Sequence, residues 1–162
     1  MTVERHSFLD TRTRYFLTAG SGDGRWKEVA LDQARVAAGL GEVNIIKLSS
    51  IAGPNCLRMR YWNIEPGATV SAAFAQMACD EPGRLIACAV AVARPTDPTR
   101  AALIMEYHGF MRAGQAKRIA IKMARAGLLD RGLGVRRVES MAIEHVVGEL
   151  GAGATFAAVV EL

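Results

Sequence analysis

Runs of small apolar residues constrain the fold of this chain more than any other feature. Alanine and valine dominate residues 85–93 and 154–160, and small residues fill most of residues 69–79. The sequence Asp-Glu-Pro-Gly at residues 80–83 predicts a turn between the first two runs, since proline sets φ and glycine accepts positive φ. Strands that are apolar along both faces need cover on both sides. The runs therefore predict the inner strands of a layered sandwich.

The other periodicities predict two helices among further strands. Apolar residues recur at helical spacing over residues 26–40 and 113–129, and glycines follow both segments. On the second helix the predicted buried face is Ala116, Ile119, Ala120, Met123 and Gly127. Strands are predicted at residues 15–19, 43–48, 57–62, 101–107 and 135–145, with glycine-rich residues 20–24 forming a turn. Because few strands alternate with helices, we expect an α+β fold with largely antiparallel sheets.

No repeat, low-complexity tract or linker interrupts the chain, so residues 1–162 are expected to form a single domain. No apolar run approaches the roughly 20 residues that cross a bilayer. Residues 1–12 carry charges where a signal peptide has an apolar segment. The three cysteines, Cys56, Cys79 and Cys88, are too few and too scattered for a disulfide framework or a zinc site. We therefore expect reduced thiols, no membrane partner and a cytoplasmic location.

The net charge of +4 raises the question of nucleic-acid binding. Most of the excess lies in residues 112–137, where eight basic residues face one acidic residue, Asp130. That stretch contains no aromatic residue on which bases could stack. The pattern favours a solvated helix face and no nucleic-acid partner. A non-enzymatic binding module that uses this basic helix is a weaker alternative.

Common catalytic signatures are missing, and no metal site is predicted. There is no P-loop, no GxSxG, and no GxGxxG spacing in residues 20–24. His6, His108 and His145 lie far apart without metal-ligand spacing. The adjacent Glu144 and His145 form either an acid/base pair or the surface end of a strand.

Two polar features remain next to apolar strands. Ser49 and Ser50 follow the predicted strand at residues 43–48, where the simplest interpretation is a turn with locally satisfied hydroxyls. Glu106 interrupts the apolar residues 101–107. A buried carboxylate there would have a raised pKa, as a general acid needs near neutral pH. Periodicity alone does not separate that role from a solvent-facing or ion-paired Glu106.

The order of several sequence blocks resembles the pyruvoyl-dependent arginine decarboxylases. The first block, GEVNIIKLSSI at residues 41–51, is similar to the self-cleavage segment of that family. Similar blocks follow in the family's order at residues 66–68, 79–83, 103–107, 138–145 and 156–159. Together they cover nearly the whole chain from residue 17 onward, so the resemblance is specific although no single block decides it.

This resemblance implies a four-layer αββα sandwich assembled as a homotrimer, with active sites between protomers. It implies that the proenzyme cleaves itself between Ser49 and Ser50, which yields residues 1–49 and residues 50–162. The cofactor would then be a pyruvoyl group derived from Ser50, with no metal and no pyridoxal phosphate. The implied reaction converts arginine to agmatine and CO₂, a step of polyamine biosynthesis.

The family's functional residues fall on several positions of this chain. Glu106 matches the acid that protonates the substrate carbon after CO₂ leaves. Asn44 matches a residue that hydrogen-bonds near the pyruvoyl group and assists processing. Asp32 matches the carboxylate that binds the substrate guanidinium.

Some positions depart from the family pattern. Gly53 and Pro54 stand where the family usually has two prolines, and Glu28 and Arg35 lie one helical turn from Asp32 where apolar residues are usual. Arg35 is therefore a second candidate for substrate binding, and it lies close enough in sequence to neutralise Asp32. In that case a substrate with a carboxylate, or a smaller neutral amino acid, would fit better than arginine. The alternative is an uncut relative that uses the pocket between subunits for a non-decarboxylating cyclisation or rearrangement.

Overall fold

A computed structural model describes residues 12–162, and in that range it contains two helices and nine strands. The expected absence of a signal peptide concerns residues that lie almost entirely outside this range. The elements are β1 (Arg14–Gly24), α1 (Lys27–Ala37), β2 (Asn44–Lys47), β3 (Ile51–Ala52), β4 (Leu57–Arg58), β5 (Thr69–Cys79), β6 (Leu85–Pro95), β7 (Ala102–Gly109), α2 (Ala113–Asp130), β8 (Val135–Val146) and β9 (Ala152–Glu161). Neither helix has the length and hydrophobicity to cross a membrane.

The strands form two sheets that pack face to face. Sheet A has five strands in the order β2-β5-β9-β1-β4, and sheet B has four in the order β3-β7-β6-β8. All pairs in sheet B are antiparallel, whereas the two edge pairs of sheet A, β2 with β5 and β1 with β4, are parallel. Helix α1 packs on the outer face of sheet A and α2 on that of sheet B. The expected α+β fold and αββα layering are thus confirmed.

Strand β1 continues to Gly24, so the turn predicted at residues 20–24 is wrong. The glycines of β1 allow the strand to pack closely against α1. A Cβ on Gly20 would lie 2.3 Å from the Ala34 carbonyl oxygen, and one on Gly24 would lie 2.6 Å from the Ala30 nitrogen. The glycines of β1 and the alanines of α1 therefore let helix and strand backbones approach closely, and this contact places α1 and Asp32.

We expect Gly20→Ala to destabilise the fold by about 2–3 kcal/mol, because the new methyl group overlaps the helix backbone and neither element can move freely. Urea denaturation measures the change. Ser21→Ala, at the next position of β1, is the control and should alter stability by less than about 1 kcal/mol. An unchanged midpoint for Gly20→Ala would contradict the close packing.

Helix α2 buries a regular stripe of small residues on sheet B. Its buried positions are Ala116, Ala120, Ala124 and Leu128. Met123, predicted on this face, is 37% exposed, because the true stripe repeats every four residues. The basic residues Lys117, Arg118, Lys122 and Arg125 are all exposed, in agreement with the predicted solvated face.

The strand predicted at residues 57–62 is mostly irregular. Only Leu57 and Arg58 pair, in parallel with the start of β1, and the chain from Met59 to Ala68 is a loop that leads to β5. The chain turns at Pro66-Gly67, where Gly67 has φ +83°.

Candidate active site

Ser50 lies where the chain crosses from sheet A to sheet B. Strand β2 pairs with β5 in sheet A, and only three residues later β3 pairs with β7 in sheet B. Among residues 12–162, Ser50 is the one non-glycine residue with positive φ, at +73°. That conformation costs a side chain about 1–2 kcal/mol, and such residues concentrate at functional sites. The sequence carried no signal for it, since the strain arises from the crossing between sheets.

Strand β7 forms hydrogen bonds with both the side chain and the backbone carbonyl of Ser50. The Ser50 hydroxyl donates a hydrogen bond of 2.5 Å to Glu106 Oε1, and its carbonyl accepts one of 2.9 Å from the Ile104 N–H. The contribution of the Ile104 backbone was not predictable from residue type, because it depends on the pairing of β3 with β7.

Glu106 lies on the inner face of β7. Ala102 and Ile104 on the same face pack into the core between the sheets, whereas Leu103 and Met105 face α2. Alternation along the strand therefore directs Glu106 toward sheet A. The side chain is half-buried and bonds to Ser50, so it is not a solvent-facing residue, and among residues 12–162 it forms no ion pair.

Asn44 begins β2, with its amide 3.4 Å from the Gly67 carbonyl oxygen. Ile45 packs toward α1, so alternation places Asn44 and Ile46 on the face of β2 directed to sheet B. Because β3 has only two residues, this face is left open, and Ile46 is 57% exposed. The hydrogen bonds of the structure do not join Asn44 to Ser50, and its role in processing stays a prediction.

Asp32 and Arg35 occupy the outer helix layer. Asp32 is exposed, and sheet A lies between α1 and the Ser50–Glu106 pair. Arg35 donates a 2.9 Å hydrogen bond to Gln76 Oε1 on β5, and its guanidinium lies 5.9 Å from the Phe156 ring centre. No ion pair joins Arg35 to Asp32 within residues 12–162. The neutralisation of Asp32 considered from the sequence is therefore not formed, because Arg35 turns toward the sheet.

Glu144 and His145 point to opposite sides of β8 and do not act as a pair. Glu144 accepts hydrogen bonds from the Ala113 N–H at 2.7 Å and from Arg112, and these lower its pKa. His145 lies 3.0 Å from Asp23 Oδ1. Partial burial opposes ionisation of Asp23, but hydrogen bonds from His145 and the backbone of residue 148 lower its pKa overall. Both residues thus join elements of the scaffold.

The cysteines are buried and free. Burial raises the pKa of Cys56 to about 11 and that of Cys88 to about 12, so neither thiol is a nucleophile at neutral pH.

Glu161, at the end of β9, is 4% exposed, and its Oε1 has no hydrogen-bond partner within residues 12–162. Burial raises its pKa from 4.5 to about 7. Ionisation of Glu161 therefore opposes folding. The stability that protonated Glu161 maintains at low pH is lost as the pH rises from about 4.5 to above 7. The difference between the two pKa values corresponds to about 3 kcal/mol.

We expect Glu161→Gln to exceed the wild type in stability by about 3 kcal/mol more at pH 8 than at pH 4.5. Denaturation midpoints of both proteins at the two pH values measure this difference, and groups common to both cancel. An equal difference at both pH values would show that Glu161 does not titrate in the folded protein.

The fold is similar to that of a solved pyruvoyl-dependent histidine decarboxylase. The two structures superpose with a TM-score of 0.52 at 16% identity, over 64% of this chain and 54% of the other, so this chain spans about half of that protein's length. This chain therefore shares the architecture of that solved decarboxylase. The sequence model of "Pyruvoyl-dependent arginine decarboxylase" matches residues 14–160, and this chain belongs to that family.

Relatives of the same name come from archaeal species. The protein of Methanocaldococcus jannaschii is 36% identical over 90% of this chain and 88% of its own length. That of Methanococcus aeolicus is 34% identical over 95% and 92%, and that of Methanothermobacter thermautotrophicus 35% over 84% and 89%. These findings confirm the expected enzyme class, a carboxy-lyase, and its pyruvoyl cofactor. They do not favour a non-decarboxylating alternative.

The residues around Ser50 fit a pyruvoyl group at this position. The group needs a serine precursor, and Ser50 is already held at both its hydroxyl and its carbonyl. If Ser50 were the precursor, the conversion would remove its hydroxyl oxygen, which is the atom that Glu106 contacts. Ile46 and Ile51 beside it are exposed apolar side chains that can exclude water once covered.

Proposed function

We propose that this chain cleaves itself between Ser49 and Ser50 and then decarboxylates arginine to agmatine and CO₂. The 2.5 Å hydrogen bond from the Ser50 hydroxyl to Glu106, on a residue at φ +73°, is the observation that carries the proposal. It places a nucleophile, a proton acceptor and a strained backbone at one peptide bond. Such alignment accelerates an intramolecular reaction by removing the entropy cost of bringing its groups together.

The proposed cleavage needs no external reagent besides water. Ser50 Oγ transfers its proton to Glu106 and attacks the Ser49 carbonyl carbon, and Glu106 returns that proton to the peptide nitrogen as it leaves, so that an ester replaces the amide. Transfer of the Ser50 α-proton to water then expels the Ser49 carboxylate and leaves dehydroalanine at residue 50. Water hydrolyses the enamine form to a ketone and releases ammonia. The products are residues 1–49 with a free carboxylate and residues 50–162 with a pyruvoyl cap.

Glu106 serves both stages in this proposal. During cleavage it accepts the hydroxyl proton of Ser50. A pyruvoyl group at residue 50 supplies the electron sink that loss of CO₂ from an α-amino acid requires. In turnover Glu106 is placed to hold a proton and return it to the α-carbon of the substrate, which is the role of a general acid.

We propose Asp32 as the residue that binds the guanidinium of arginine. Its carboxylate is exposed, and Arg35 does not neutralise it, so it is available for a bidentate contact. The relatives named as arginine decarboxylases support this substrate. A direct contact between Arg35 and substrate stays a prediction.

Asp32 and Ser50 belong to different layers of one chain, which supports a site shared between subunits. In a homotrimer with cyclic symmetry, α1 of one protomer can meet the Ser50 edge of the next. The exposed Ile46 and Ile51 at that edge support a protein partner there.

The free cysteines support a cytoplasmic location.

Denaturing mass spectrometry of the purified protein tests the cleavage. We expect two species that correspond to residues 1–49 and 50–162 in place of the intact 17.4 kDa chain. Radiolabelled CO₂ from carboxyl-labelled arginine, measured on the same sample, tests the activity. An intact chain that nevertheless releases CO₂ would contradict the mechanism, and a cleaved chain that is inactive on arginine would contradict the substrate.

Mixed assemblies test the shared site. Asp32→Asn keeps Ser50 but loses the guanidinium ligand, whereas Ser50→Ala keeps Asp32 but forms no pyruvoyl group. Each variant alone should be inactive, and co-expression should restore part of the activity, because some interfaces combine the intact halves. Mixed trimers without activity would show that one chain supplies both residues.

A further inference from the structure

Four arginines surround a small pocket at the edge of the sandwich opposite to Ser50. The pocket lies beside β4, the end of β6 and the start of β8, and its volume is about 200 Å³. Its charged lining consists of Arg58, Arg94, Arg136 and Arg137. The backbone between Pro54 and Leu57 closes one side. Among the residues that the structure describes, no acidic side chain lines this pocket.

An irregularity of sheet B brings two of these arginines together. Arg94 is opposite Arg137 and Pro95 is opposite Val135, so Arg136 has no opposite residue. Consecutive side chains of a regular strand point to opposite faces, but a bulge re-aims them. Pro95 cannot donate a ladder hydrogen bond, which accommodates the irregularity. As a result Arg136 and Arg137 line the same pocket.

The positive charge here is only partly compensated. Arg94 and Arg137 are directly opposite across the strands, and like charges at such positions destabilise a sheet. A single carboxylate, Glu139, lies 3.6 Å from Arg58 and 3.5 Å from Arg137. Within residues 12–162, Arg94 and Arg136 form no ion pair. Arg94 donates one hydrogen bond to the Cys56 carbonyl and lies over the Tyr15 ring, but its buried Nε has no hydrogen-bond partner among these residues. The site thus has donors and charge in excess of what the chain satisfies.

We propose that this pocket binds a small phosphate-bearing anion. Guanidinium groups present planar pairs of N–H donors that match phosphate oxygens, and several groups around one pocket suit a tetrahedral anion better than a planar carboxylate. The volume is below the 300–1,000 Å³ or so of pockets for drug-sized molecules, which fits inorganic phosphate, diphosphate or the phosphate end of a nucleotide. The inference does not depend on the cleavage at Ser50, which lies at the other edge.

Isothermal titration of the purified protein at low ionic strength tests the proposal with three probes: inorganic phosphate, diphosphate and ADP. We expect saturable binding of diphosphate with one site per chain. Arg136→Gln should weaken it about tenfold, since one charge-assisted contact is lost. Arg118→Gln, an exposed arginine of α2, removes the same net charge elsewhere and should leave the affinity within about twofold of the wild type.

The outcomes separate the possibilities. Tighter binding of ADP than of diphosphate would identify a nucleotide as the source of the phosphate group, and the reverse would identify the free anion. Equal weakening by Arg136→Gln and Arg118→Gln would overturn the proposal, because the binding would then reflect net charge only. Failure of all three probes to saturate at millimolar concentration would also overturn it. Circular dichroism of both variants confirms that they are folded.

Discussion

Ser50→Ala is expected to leave the whole chain intact at 17.4 kDa and to remove arginine decarboxylation. The substitution takes away both the nucleophile of cleavage and the precursor of the pyruvoyl group. The loss of activity should reach at least about 10⁶-fold, the smallest acceleration typical of enzymes. Denaturing mass spectrometry and CO₂ release measure the two effects on one preparation.

Ser49→Ala is the matched control for this prediction. The proposed chemistry uses only the carbonyl of residue 49, so this variant should still cleave and, once cleaved, decarboxylate arginine. Ser50→Gly should remain uncut like Ser50→Ala but be more stable by about 1–2 kcal/mol, because glycine tolerates φ of +73° without strain. Cleavage after residue 49 in the Ser50→Ala chain would show that another group attacks the peptide bond.

Glu106→Gln is expected to slow both cleavage and turnover by about 10²–10⁴-fold each. Glutamine has the same shape and still accepts a hydrogen bond from the Ser50 hydroxyl, but it cannot take the proton. The rate at which the intact chain disappears measures the first effect. The kcat of the cleaved fraction, titrated by its reactive ketone, measures the second.

Glu144→Gln is the control that separates an effect on catalysis from an effect on folding stability. Glu144 caps the first turn of α2, so its loss should reduce stability by about 1 kcal/mol without changing cleavage or kcat. If Glu106→Gln lowers stability but cleaves and turns over at the wild-type rate, the carboxylate has only a structural role. A slow cleavage with normal kcat would confine Glu106 to processing.

Features set by local pattern were predictable from the sequence. Helix α2 was predictable because a helix that is buried on one stripe repeats apolar residues at helical spacing. Strands β5 and β6 were predictable because strands that are covered on both faces are apolar almost throughout. The turn at Gly83 was predictable for the same reason, since positive φ favours glycine there. Sequence similarity to a family then assigned Ser50 and Glu106 to one site.

Contacts between distant segments were not predictable from the sequence. The glycines of β1 are typical of a turn, but in the structure they lie within a strand and allow α1 to pack closely against it. Arg35 was a candidate partner of Asp32 by helical spacing, yet it bonds to Gln76, 41 positions away. Whether Glu106 faced solvent or the inner space depended on the register of β7 against β3.

The sequence by itself thus determined the layers, most element positions and the family. The tertiary structure decided that Ser50 adopts a left-handed conformation with its hydroxyl on Glu106, and that four arginines from three segments enclose one pocket. The physical reason is that a periodic pattern reflects only which side of its own helix or strand each residue occupies. Strand register, crossings between sheets and bulges instead depend on interactions between segments that are remote in sequence.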